Sequence, residues 1–311
     1  MEERLEYRIF TYSTYLLKKF GKKVFRVGLS IGETCPHRIE NGGCIFCNPY
    51  TFTGEYQSQN LSIEKQYNKA IPRIKKACGD VQLLAYFQDE TSTYGDIEFL
   101  KQKYDEALSH PEIIGLIVST RPDYIDKNVV KLLSSYKVPV TIEIGLQSVH
   151  NKSLEFLNRG HTFKQVEEAI KICGEAGLTV GVHLITGIPN ETYDDMLSTI
   201  KWVSSNAYIK QVKFHNLVIY KNTKLAQMKN IPIYTIEKHI KNLGNLIPHL
   251  RGDITVSRLF TSNIRRTQIA VNGYRGNKTQ WMNELRKILY KKNLNQGDET
   301  DVKYDYRKYY K

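Results

Sequence analysis

Six apolar runs alternate with amphipathic segments through the first two thirds of this chain, and that alternation limits its fold more than any other feature. The runs occupy residues 24–31, 81–87, 114–119, 139–145, 178–186 and 211–219. Between them, residues 61–77, 96–109, 128–136, 162–177 and 191–206 carry apolar side chains at helical spacing, the first of these segments with a proline expected to kink it. Repeated strand-helix units imply parallel strands joined by right-handed crossovers, and 311 residues with 41% hydrophobic content can bury the core such a fold needs. Periodicity alone leaves both a barrel and an open sheet. In either, the loops at the C-terminal ends of the strands face one mouth, where reactive residues gather. Here those loops read "QDETSTY" (88–94), "TRPD" (120–123), "LQSVH" (146–150) and "GIPNET" (187–192), and the first strand runs directly into a cysteine cluster.

That cluster, "CPHRIENGGCIFC" (35–47), holds Cys35, Cys44 and Cys47, three of the five cysteines. An odd, clustered set does not suit the paired framework of a secreted protein and points to metal in a reducing compartment. No run approaches the roughly 18 apolar residues of a membrane span. The opening "MEERLEYRIF" lacks the basic-then-apolar order of a signal peptide. A cytoplasmic protein without a membrane segment is therefore expected. A structural zinc would need a fourth ligand, His37 or a distant residue. A cubane iron-sulfur cluster on three thiolates would instead keep one iron open to a small molecule. Cys78 and Cys173 lie in helical segments and read as small apolar packing residues.

Charge is uneven along the chain. Residues 1–200 hold 23 Lys and Arg against 25 Asp and Glu, whereas residues 201–311 hold 22 against 7. The net +13 therefore arises wholly in the C-terminal third, where tyrosines and Trp281 are interspersed with the cations. Such a mixture suits a polyanion, with Lys and Arg on phosphates and rings on unpaired bases. Arg265 and Arg266 are candidate RNA contacts on this ground. The plain alternative is a lysine-rich solvated surface.

The cysteine pattern, with Phe46 before the last thiol, resembles the radical S-adenosylmethionine (SAM) enzymes. Its first gap of eight residues is similar to the group related to the elongator catalytic subunit and to oxygen-independent coproporphyrinogen oxidase. "FGKKVFRVGLSIGETCP", "GGCIFC", "AYFQ", "STRPDYI", "IEIGLQSVH", "NRGHT", "HLITGIPNET" and "KFHNLVIYKNTKLAQM" occur in the order of one bacterial subfamily whose members resemble tRNA-modifying enzymes. The resemblance implies a partial (β/α)6 TIM-like barrel over about residues 21–220, a [4Fe-4S] cluster on Cys35, Cys44 and Cys47, and SAM on the open iron. Reduction then yields a 5′-deoxyadenosyl radical, and a low-potential donor such as flavodoxin or ferredoxin is implied. The implied substrate is a tRNA wobble uridine whose 5-carboxymethylaminomethyl group becomes aminomethyl.

The same resemblance implies cofactor contacts: Phe46 on the adenine, Gln88, Thr120, Arg121, Glu143, Gln147 and Ser148 along the ribose and methionine parts, and Arg159 on the carboxylate. Asp89 and Glu90 depart from the subfamily; they could bind the methionine ammonium or mark a different substrate. "SRLFTSN" (257–263) departs from the expected Gly-Asp ending. Taken as residues, Glu143 in an apolar strand requires a hydroxyl or ammonium partner. Arg121 suits a structural salt bridge as well as a ligand. His183 and His215 are either core histidines or substrate contacts. Around the barrel, a helical lead-in (1–20), a basic α/β extension (221–294) and a mobile tail (295–311) are expected. Two other functions stay open: a zinc-clipped nucleic-acid-binding module without catalysis, and a radical enzyme acting on a metabolite or protein.

Overall fold

The computed structural model describes residues 4–261, 265–271 and 273–310. Seven strands form one sheet: β1 (Val24–Leu29), β2 (Gln82–Phe87), β3 (Ile113–Thr120), β4 (Val140–Gln147), β5 (Thr179–Thr186), β6 (Ile209–Asn216) and β7 (Thr255–Arg258). They lie in sequential order and every neighbouring pair is parallel. All six expected strands are present. The seventh, β7, continues the sheet from within the region expected to be a separate extension. Beyond it, Val256 N–H donates to the Phe10 carbonyl at 2.8 Å, so the N-terminal segment covers the otherwise open edge. The result is a half-barrel of the α/β type, open between β1 and β7.

The helices are α1 (Tyr12–Phe20), α2 (Pro36–Asn41), α3 (Ile63–Cys78), α4 (Ile97–Leu108), α5 (Lys127–Ser135), α6 (Asn151–Phe156), α7 (Phe163–Glu175), α8 (Tyr193–Ser205), α9 (Lys224–Gln227), α10 (Ile236–Leu246) and α11 (Lys278–Lys291). The long crossover helices begin on Ser62, Asp96, Asp126, Thr162 and Thr192, whose side chains each accept a backbone N–H of the first turn. Such a cap contributes about 1 kcal/mol. Helix α3 continues through Pro72 as one element rather than dividing there.

Strand alternation sorts side chains between two environments. Leu83, Phe87, Leu116, Ile142, Val180, Val212 and Phe214 face the helices and build the main core. On the inner face, Leu84, Tyr86 and Ile117 meet Tyr12 and Leu16 of α1, which plugs the bottom of the half-barrel. Cys173 belongs to the core and Cys78 packs against it. Among the described residues, no helix is long and apolar enough to cross a membrane.

The expected mobile tail is instead docked. The buried Gln296 amide accepts Phe10 N–H at 2.9 Å and donates to the Arg251 and Ile254 carbonyls at 2.9 and 2.7 Å. Tyr304 donates to the Glu6 carbonyl at 2.7 Å, and Tyr310 meets the Thr14 hydroxyl at 2.6 Å. The amide and rings of this segment thus satisfy the N-terminal segment.

Candidate active site

The cysteine loop leaves β1 at the mouth of the half-barrel, and Cys35 directly precedes the proline that starts α2. The loop is held from across the sheet. Ile45 N–H donates to the Leu157 carbonyl at 3.1 Å, and the Asn158 amide donates to the Gly43 carbonyl at 2.7 Å. His37 Nε2 donates to the Asn158 carbonyl at 2.6 Å. From α9, beyond β6, Leu225 N–H reaches the Ile45 carbonyl at 2.9 Å. "NRGHT" (158–162) thus acts as a clamp on the cysteines, which explains why two distant motifs occur together.

Each thiol has a hydrogen-bond donor beside it. Thr91 donates to Cys35 Sγ at 3.2 Å, Arg159 Nη1 to Cys44 Sγ at 3.2 Å, and Arg38 Nη2 lies 3.6 Å from Cys47 Sγ. Burial acts to raise the Cys44 thiol, but Arg159, a hydrogen bond with His37 and the charge of Arg121 outweigh it and bring it to about 6. Burial, reinforced by Cys44, pushes the Cys47 thiol up to about 12.

A cavity of about 240 Å³ opens beside these sulfurs, and its wall includes Phe46, Gln88, Glu90, Thr120, Arg121, Gln147, Arg159, His183 and His215 as well as all three cysteines. Most residues singled out in the sequence are therefore brought together. Arg121 makes the structural salt bridge, pairing with Asp123 at 2.8 Å, and its Nη1 lies 4.0 Å from Cys44 Sγ at the cavity wall. Its buried Nε has no partner among the described residues.

Four of the residues singled out lie outside the cavity wall. Glu143 is fully buried below the cavity, and Ser148 turns behind the sheet to donate to Glu191 at 2.5 Å. Arg265 stacks on Tyr50 at 4.0 Å and donates to the Thr53 carbonyl at 3.0 Å, while the exposed Arg266 reaches the Gly276 carbonyl. Glu90 does line the cavity, but its oxygens are already taken by Arg38 at 2.7 and 2.8 Å and by Cys35 N–H at 3.1 Å. Its neighbour Asp89 is buried, and burial pushes its carboxyl up to about 7. Glu90 thus supports the cysteine loop from behind, while the buried Asp89 Oδ1 has no partner among the described residues. Of "SRLFTSN", residues 262 and 263 lie outside the described residues.

Glu143 anchors a second polar layer that the sequence did not disclose. Its partners are Tyr86 at 2.7 Å, His183 at 2.9 Å, Gln211 at 2.8 Å, Arg26 at 3.9 Å and the Lys213 ammonium. The expected hydroxyl and ammonium partners are thus Tyr86 and Lys213. Despite burial, Lys213 and His183 hold the Glu143 carboxyl well below its ordinary value, while burial lowers Lys213. Burial also brings His183 down to about 4. Arg258 on β7 sits beside Lys213 in register and also lines the cavity. Charged residues inside otherwise apolar strands, Arg26 and Lys213 above all, were the available signal.

The Radical SAM superfamily profile matches residues 29–203, which span the cysteine loop and the crossover units from the end of β1 to α8. The chain belongs to that superfamily. Among curated proteins, this radical SAM enzyme is 35% identical to the uncharacterized protein MJ0486 of Methanocaldococcus jannaschii, over 92% of this chain and 90% of the relative. It is 34% identical to protein YhcC of Escherichia coli over 82% of this chain and 84% of the relative. A tRNA uridine(34) acetyltransferase of M. jannaschii is 31% identical over 68% of this chain and 46% of its own length. In structure, the Elp3 protein of Methanocaldococcus infernus superposes with a TM-score of 0.69 over 88% of this chain and 64% of that chain, at 19% identity.

The family's cofactors are a [4Fe-4S] cluster and SAM, and the residues at the mouth suit them. Three thiols lie within one cavity wall, guanidinium groups of Arg38, Arg121 and Arg159 offset thiolate charge, and the orphaned Arg121 Nε awaits an acceptor. When bound, the cluster supplies the electron that cleaves SAM to a 5′-deoxyadenosyl radical.

Proposed function

We propose that Cys35, Cys44 and Cys47 hold the [4Fe-4S] cluster of this radical SAM enzyme and that its substrate is a tRNA wobble uridine, converted from the 5-carboxymethylaminomethyl to the 5-aminomethyl form. The observation that carries this reading is a single cavity joining the three thiols to His215 on β6 and the Arg258 guanidinium on β7.

In this reading Phe46, packed with Ile185 and Leu217, presents its ring to the SAM adenine. Arg159 and Arg121 bind the SAM carboxylate, and Thr120, Gln88 and Gln147 line the rest of the cofactor. The region 221–294 supplies RNA contacts. Support for RNA comes from the basic C-terminal third and from relatives named tRNA uridine(34) acetyltransferase and Elongator complex protein 3. Such a substrate places the reaction in the cytoplasm, with a flavodoxin or ferredoxin as electron donor.

Mass spectrometry of tRNA nucleosides from a strain lacking the chain tests the substrate. The carboxymethylaminomethyl form should accumulate and the aminomethyl form should vanish. An unchanged nucleoside profile would leave a metabolite or protein as the substrate.

A further inference from the structure

We infer that Arg258 and His215 form a subsite for a carboxylate carried on the substrate group that enters the half-barrel; as applied to RNA, this rests on the tRNA reading above. The inner layer carries three cations, Arg26, Lys213 and Arg258, around a single carboxylate, Glu143. Glu143 is saturated: its oxygens accept from Tyr86, His183, Gln211 and Lys213. The Arg258 side chain, adjacent to Lys213 in register, has no hydrogen-bond or ion-pair partner among the described residues. Next to it on the same wall, the buried His215 Nε2 also has no partner among them.

A buried ring nitrogen without a partner is costly unless a ligand completes it, and the half-buried Arg258 guanidinium beside it faces the cavity with its donors unused. Their combined charge and donor geometry call for an anion. Burial, with neighbouring Arg258 and the other cations, holds His215 well below its ordinary value, so it offers a neutral ring rather than a second charge. The subsite is separate from the thiol end. Arg159 crosses β4 at Gly145, whereas Arg258 lies on β7, with β5 and β6 between them.

A nucleic-acid backbone stays at the rim of such a mouth, because only an extruded base and its substituent pass into a pocket of this size. The anion that reaches Arg258 is therefore on the substituent, and a carboxylate matches the planar guanidinium fork. The same site would take a carboxylate of a small-molecule substrate.

The test uses the reconstituted enzyme in two arms. In the first, saturation-transfer NMR follows acetate, with inorganic phosphate as competitor. Acetate should bind saturably to the parent and roughly tenfold or more weakly to Arg258→Gln, the effect expected for one buried charge-assisted hydrogen bond. Arg258→Lys, which keeps the charge, should recover part of it. In the second, stem-loops carrying the carboxymethylaminomethyl uridine or its neutral methyl ester are compared. The parent should favour the acid, and Arg258→Gln should abolish the preference. Saturable acetate binding with no stem-loop binding sustains the subsite and overturns the tRNA reading. Stem-loop binding without acid preference, together with absent acetate binding or phosphate outcompeting acetate, overturns the subsite and leaves the tRNA reading intact.

Discussion

Arg159 donates from Nη1 to the Cys44 sulfur across 3.2 Å, while its Nη2 is held by the Gly145 carbonyl at 3.1 Å. One guanidinium thereby ties the cysteine loop to the end of β4, and the thiol it touches is the acidic one. In protein freed of its cluster, Cys44 should label with iodoacetamide as pH rises through about 6, since the thiolate is the nucleophile. Cys47, pushed up to about 12, should stay unlabelled through neutral pH. Peptide mass spectrometry across a pH series reads both; Cys47 labelling first would contradict the assignment.

Gly145 is a glycine because Arg159 passes over it. A Cβ there would fall 2.7 Å from Arg159 Nη2 and 2.9 Å from Gln147 Nε2. Both are ends of flexible side chains, so Gly145→Ala should leave thermal stability nearly unchanged while displacing the guanidinium. The Cys44 labelling midpoint should then move up, and SAM should bind roughly tenfold or more weakly, as when one charge-assisted hydrogen bond is removed. Equilibrium dialysis of SAM checks the second effect; a large fall in melting temperature would mean that the backbone, not the side chain, had to yield.

The buried Glu143–Lys213 pair lends itself to a double-mutant cycle. Glu143→Gln or Lys213→Met alone leaves one charge unmatched and should destabilise the fold by about 3–5 kcal/mol. The double variant should recover most of that stability, because it removes the cost of an unmatched buried charge. Urea unfolding of the four proteins gives the coupling; additive effects would show that the two residues act independently.

The strands were readable because their apolar runs are bounded by turn residues, and the cysteine loop because its spacing is unusual. What lay hidden was which strand residues face inward. With helices on one side and α1 plugging the other, both faces of β2 and β3 are apolar, so Leu84 and Ile117 look like Leu83 and Leu116 in sequence. Lys213 and Arg258 belong to the surplus cations of the C-terminal third, yet they line the interior. Pairings such as Ser148 with Glu191 join residues 43 apart and have no local signature.

The remaining surface cations can be tested through salt. Arg265→Ala with Arg266→Ala should lower the slope of log affinity for tRNA against log salt by roughly two, about one for each phosphate no longer neutralised. Filter binding at several salt concentrations measures it. An unchanged slope would make these arginines structural, in line with the stacking of Arg265 on Tyr50.

The central claim is that three thiols at the mouth of the half-barrel support SAM cleavage, and anaerobic reconstitution followed by reduction tests it most directly. With dithionite and SAM, the parent should show broad absorption from the cluster and form 5′-deoxyadenosine. Cys44→Ala should lose both while its far-ultraviolet circular dichroism stays that of the parent. Formation of 5′-deoxyadenosine by Cys44→Ala at the parent's rate would contradict the account.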